Sequence, residues 1–150
     1  VTEGFDYDTA LIDVEAQMME VAKAVVVDHA IEPTAVVVCT VGEIPVISPV
    51  VFLDYGRVQH ALHQAVVENE GFGFVLIVDG FANVETLRLD ALLVVRLSRG
   101  RNGAAHAHPY RRTGPGAIEW FPVLDAGQEM LDYYFERVFK TATRSPSRVN

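Results

Sequence analysis

From residue 72 to residue 121 the chain is a succession of apolar runs joined by links too short to cross over a sheet. Phe72 to Val78, Leu89 to Leu97, Ala104 to Arg112 and Ala117 to Phe121 are the runs. A parallel crossover needs a dozen or more residues. Gly114-Pro115-Gly116 offers a tight turn between the last two runs, and Gly100, Asn102 and Gly103 lie in the link before them. Consecutive runs must therefore pair antiparallel. The link that begins at Asp79-Gly80 is expected to be irregular, with a short turn near Asn83 to Thr86.

Two earlier runs add strands. Ala35 to Val41 is β-branched and reads as a buried strand. Ile44 to Leu53 reads as its neighbour. Pro45 and Pro49 each remove a ladder donor, which places this strand at an edge or a bulge. Helix initiation at Ser48-Pro49 is the alternative, disfavoured because Gly56 would then fall inside a long helix.

Three helices complete the pattern. The first is capped by Asp8 or Thr9 and runs to about His29, before Pro33. Its apolar arc is wide. Leu11, Val14, Met18, Val21 and Val25 form one stripe, and Ile12, Met19, Ala22 and Val26 a neighbouring one. Such a helix is either sandwiched in the core or packed on a second subunit. The second runs from Asp54 to Glu70 with Gly71 as its stop. The third opens at Asp125, with Gln128 completing a capping box, and buries Leu131, Tyr134, Phe135, Val138 and Phe139.

The expected fold is α+β: an antiparallel or mixed sheet of about five to six strands with three helices packed on it, in the order α-β-β-α-β-β-β-β-α. Residues 9–140 make one domain, between an acidic leader (1–8) and a flexible polar tail (141–150). The element order is similar in outline to small helix-backed sheet domains of the profilin or roadblock kind.

Charge is divided along the chain. Residues 1–95 hold 15 acids and three bases, whereas residues 96–150 hold nine bases and five acids, for a net charge of -8. The acidic total argues against general nucleic-acid binding. No run approaches the roughly 20 apolar residues of a membrane span, and Cys39 alone excludes an internal disulfide or a multi-cysteine zinc site. A cytoplasmic protein is the expectation.

The basic residues concentrate in one hairpin. Arg96, Arg99, Arg101, His106, His108, Arg111 and Arg112 fall within 17 residues, 96–112. Arginine favours fixed, bidentate contacts with carboxylate or phosphate. Arg99, Arg101, His106, His108, Arg111 and Arg112 are therefore the candidate anion-binding residues, facing an acidic protein or a phosphate-containing ligand. Arg111 and Arg112 point to opposite faces of a regular strand, so the cluster cannot form one flat patch.

His106 and His108 share one strand face and are the alternative metal ligands. His106-Ala107-His108-Pro109 resembles the His-x-His-Pro string of zinc-dependent isopeptidases of the JAMM type. That resemblance implies a metal-dependent hydrolase. In that family a Ser and an Asp follow at short spacing; here Tyr110-Arg111-Arg112-Thr113-Gly114 follows. His60 and His63, three apart on the second helix, would make a four-histidine set with His106 and His108 if that helix packed beside the hairpin. A nucleotide or phosphate-ligand pocket between that helix and the hairpin is a further alternative.

Other patterns carry no reaction. Gly71-Phe72-Gly73-Phe74 precedes a strand and is too short for a phosphate loop, and no Gly-x-Ser-x-Gly elbow occurs. Asp79 and Asp90 fall near strand ends, where Asp is common in turns. Trp120, Phe121, Tyr133 and Tyr134 read as core, with Trp120 against the last helix. The function expected is a non-enzymatic binding or assembly module. It would form homo-oligomers through apolar helix surface and present the Arg/His hairpin to an anionic partner. No cofactor is expected.

Overall fold

A computed structural model describes residues 6–41, 44–50 and 57–140 of the chain. Its elements are α1 (Tyr7–Val26), β1 (Thr34–Val41), β2 (Ile44–Val50), α2 (Val58–Asn69), β3 (Gly73–Val84), β4 (Leu87–Ser98), β5 (Gly103–Gly114), β6 (Ala117–Trp120), β7 (Leu124–Asp125) and α3 (Gln128–Tyr134), which continues as a π-helical segment, Phe135–Lys140. The fold is α+β, with an antiparallel sheet in the order β2-β1-β3-β4-β5-β6. The short β7 pairs β5 on the same side as β6, because β4 occupies the other side of His106 and Ala107.

The side-chain period of two divides the core into two layers. Ala35, Val37, Phe74, Leu76, Val95, Leu97 and Ala105 point to one face and are covered by α2, α3 and the π-helical segment. Val38, Val75, Ile77, Leu92, Val94 and Tyr110 point to the other and are covered by Leu11, Met19, Ala22 and Val26 of α1. On the first face α2 lies over β1 and β2, beside the π-helical segment, and α3 lies over β5. On the second, α1 lies over β3 and β4.

Edge placement of β2 follows the prolines, and the strand reading of Ser48-Pro49 holds through Val50. Several boundaries differ from expectation for physical reasons. Helix α1 begins at Tyr7, because the Asp6 carboxylate accepts the backbone N–H groups of Asp8 and Thr9 at 3.0 and 3.1 Å and the Thr9 hydroxyl at 2.6 Å. It ends at Val26, not near His29. There the Arg112 guanidinium donates to the carbonyls of Val26 (2.6 Å) and Val27 (3.2 Å), a cation at the negative end of a helix.

Gly71 follows α2 as expected, but it is not the residue that takes the left-handed turn. Glu70 takes the left-handed conformation, with φ of 50°. Gly71 is needed because β1 approaches it: a Cβ there would collide with the Val37 side chain. The link expected at Asp79-Gly80 is strand. Each β3 residue from Gly73 to Val84 has a partner on β4, and this ladder overrides the local turn signal. The turn itself is Glu85-Thr86, with Glu85 at φ 56°. The β4–β5 turn bends at Arg101, at φ 70°, although Gly100 and Gly103 flank it. Buried Ser98 holds that turn, its side-chain oxygen accepting Asn102 N–H at 3.1 Å.

No capping box opens the last helix. Asp125 belongs to β7 and its carboxylate accepts Gly127 N–H at 2.8 Å, while the Gln128 amide donates to Asp132 at 3.0 Å. The first residues of the expected leader (1–5) and the expected tail (141–150) lie outside the described residues, as does the start expected for the second helix at Asp54. Among the described residues, no helix is long and apolar enough to cross a membrane.

Candidate functional site

The two ends of the basic hairpin lie far apart. Arg101 sits in the β4–β5 turn and Arg111 ten residues along β5, which at about 3.4 Å per residue separates their backbones by roughly 30 Å. Each arginine has local partners. The Arg99 guanidinium donates to the Gly71 carbonyl at 2.9 Å and stands over Phe139. Arg101 stacks on Phe135 at 4.0 Å and lies 3.9 Å from Asp132. Arg111 pairs with Glu119 at 2.5 Å on the neighbouring strand. Arg112 closes α1. Arg96 pairs with Glu15 of α1 at 2.5 Å, largely shielded from solvent. The six candidate anion-binding residues thus fall into three places: Arg99 and Arg101 at one end, Arg111 and Arg112 near the other, and His106 and His108 between them.

His106 and His108 face α1. Their rings stand 6.3 Å apart, edge to face. His108 is half-buried, and its Nε2 is sealed from solvent without a hydrogen-bond partner. Burial holds its imidazole below the usual histidine range. The positive charges of Lys23 and His106 act in the same direction, and Glu15 opposes them. His60 and His63 lie on α2, across the sheet, where the His63 ring stands 3.3 Å from the Val138 carbonyl. The four histidines therefore do not converge. Among the described residues, no group of three His, Cys, Asp or Glu is placed to hold a metal ion. Between α2 and the hairpin the C-terminal helical segments pack on both, and a cavity of about 390 Å³ remains where Val66, Val67 and Glu70 meet Arg99.

Asp79 and Asp90 fall on the α1 face, near Tyr110. The Tyr110 hydroxyl donates to Asp79 at 3.2 Å. Burial raises the Asp79 carboxyl above its ordinary range, and burial with the nearby carboxylates pushes Tyr110 up to about 12. Trp120 packs on Tyr110 and under Lys23, so it belongs with α1 and not with the last helix. Tyr134 packs on Phe74 within the opposite layer, whereas Tyr133 is 39% exposed, with Arg137 stacked on it.

An apolar groove lies elsewhere. A groove of about 450 Å³ runs between α1 and the start of β1. Met18, Val21, Ala22 and Val25 form its helical wall; Ile31, Glu32 and Thr34 form the other; Ile77 lies on its floor. Burial by the sheet uses only one side of the α1 apolar arc, leaving Val21 62% and Val25 38% exposed. Ile47, on the α1 face of β2 by its register with Val38, is 54% exposed. The α1 stripe was visible in the sequence through Met18, Val21 and Val25. The second wall was not, because only the fold brings residues 30–34 beside the helix.

Comparison with known proteins adds no relative: no family model, no curated protein and no solved structure matches the chain.

Proposed function

We propose that this chain is a non-enzymatic binding and assembly module that docks an apolar partner surface in the groove beside α1. The observation that carries this reading is the unequal covering of the sheet. Among the described residues, two helical segments lie side by side on one face, while α1 is the single helix on the other and leaves Val21, Val25 and, on β2, Ile47 exposed. Continuous apolar concavities of this kind are the usual form of binding sites. The arginines of the hairpin support the module differently from the sequence expectation, since each is engaged in holding neighbouring elements together.

Nile red, a neutral apolar dye, tests the reading. Native protein near neutral pH is expected to bind it saturably. The double variant Val21→Gln, Val25→Gln is expected to lose most of that binding with unchanged far-ultraviolet circular dichroism. Absence of saturable binding to the native chain, or equal binding by the variant, would reject the groove.

A further inference from the structure

We infer that the occupant of the α1 groove is a basic amphipathic α-helix from another protein. The inference rests on the groove being a docking surface and adds the shape and charge of what docks.

Shape comes first. Proline has no N–H, so Pro45 and Pro49 cannot occupy hydrogen-bonded positions of the β1–β2 ladder. In a regular ladder residues 45, 47 and 49 then share the outward orientation, and of their three outward positions only Ile47 retains a donor. The β2 edge is thus a poor template for an added strand. The space over β1 and β2 is instead suited to a helix. The opposite face of the same strands already carries α2 packed beside a second helical segment, and packed helices stand about 8–10 Å apart. One further helix beside α1 would give the two faces equal cover. Its apolar residues would recur at i, i+3, i+4 and i+7 to meet Met18, Val21, Val25 and Ile31.

Charge selects among helices. Asp13, Glu20, Asp28 and Glu32 stand on α1 and the segment after it, against Lys23, which lies over Trp120, and Arg112, which caps the helix end; Glu32 lines the groove itself. A second copy of this chain would bring the same acidic helix against its own image, and like charge across an interface opposes association. A helix with Lys or Arg flanking its apolar stripe meets the opposite field. Its encounter is accelerated at low salt and slowed as salt screens the charges.

The test titrates the full chain into two labelled helical peptides of about 16 residues, long enough to be helical. Both carry Leu at the i, i+3, i+4, i+7 spacing; one has Lys and the other Glu at every remaining position. Fluorescence anisotropy at low and high salt is read beside sedimentation velocity of the protein alone. The basic peptide is expected to bind at least about tenfold more tightly than the acidic one, with the ratio falling as salt rises. Glu32→Lys should narrow the ratio, and Val21→Gln with Val25→Gln should remove binding of the basic peptide. Equal binding of both peptides would overturn the charge inference and leave the groove reading standing. Binding of neither would overturn both. Basic-peptide binding that survives the double glutamine variant would place the contact elsewhere and overturn the inference. A dimer of the protein alone that Val21→Gln disperses would make a second copy the occupant, which also overturns it.

Discussion

The two faces of the sheet are built from the same strands by different means. On the α2 and α3 side, Leu62, Val66, Phe74, Val138 and Phe139 interlock in a dry layer whose buried members are apolar. On the α1 side, an apolar layer under Leu11, Ala22 and Val26 is bordered by charge: Arg96 with Glu15, and His106 and His108 beneath a helix that carries Lys23. One face maximises burial. The other mixes burial with polar fastening and stops short of the sheet edge. The sheet thus separates a face closed by apolar packing from one that keeps apolar side chains exposed.

The largest test of that separation is in the dry layer. Leu62 is fully buried. Leu62→Ala should cost about 3 kcal/mol, the transfer of the lost methyl groups plus a cavity that close-packed neighbours cannot fill. For a chain of this length that lowers the melting temperature by roughly 10 °C, measurable by calorimetry. A loss of a few tenths of a kcal/mol would mean that this face is loosely packed and would erase the contrast.

A smaller effect is expected from the polar fastening. Glu15→Ala leaves the Arg96 guanidinium mostly shielded and without its carboxylate. The expected loss is about 2 kcal/mol by chemical denaturation, below the figure for a fully buried pair because both side chains keep some solvent. The double change Glu15→Leu, Arg96→Met should recover much of it, since a well-packed apolar pair replaces an ion pair at little net cost. Failure of the double variant to recover would show that the pair orients α1 as well as holding it.

Acid should act on the α1 face as well. The folded chain disfavours a proton on His108, through burial first and then Lys23 and His106, whereas the unfolded chain takes one up near the ordinary value of 6.5. The unfolded state therefore binds more protons below that pH. The contribution is complete above about pH 6.5 and is lost as the pH falls through the interval between 6.5 and the lower folded value. Glu15 is already engaged by Arg96 and is poorly placed to offset a new charge beside Lys23 and His106. Melting temperature should fall between about pH 7 and pH 5.5, and His108→Gln should flatten that fall. An unchanged slope in the variant would assign the acid sensitivity to other groups.

Which parts of this were legible in the sequence follows from where the determining forces lie. The antiparallel β3–β4–β5 order was legible because short links leave no alternative, and the β2 edge because proline cannot donate. The end of α1 was not legible, because Arg112, 86 residues beyond Val26, supplies the cap. Asp79-Gly80 misled for the same kind of reason: a local turn preference of this size is small beside a full ladder with β4. That the basic hairpin cannot form one flat patch was legible from strand alternation, but its six candidate residues still read together as one anion site. A strand spreads ten residues over roughly 30 Å, and alternation sends neighbours such as Arg111 and Arg112 to opposite faces. The groove was half legible, since amphipathicity can reveal an apolar arc wider than a helix needs but not what stands beside it.

The smallest predicted change is the one that most sharpens the contrast between the faces. Val21 makes little use of the sheet and is 62% exposed. Val21→Gln should alter stability by no more than about 0.5 kcal/mol, because glutamine keeps helix propensity and no cavity forms. The same substitution should weaken Nile red binding, since it puts an amide on the helical wall of the groove. Calorimetry and dye titration on one sample separate the two outcomes. If Val21→Gln lowers the melting temperature as Leu62→Ala does, the helix is held by that residue and the groove is part of the core. If stability holds while binding falls, the exposed side of α1 contributes to recognition and its buried side to folding, with Ala22 next in sequence on the buried side.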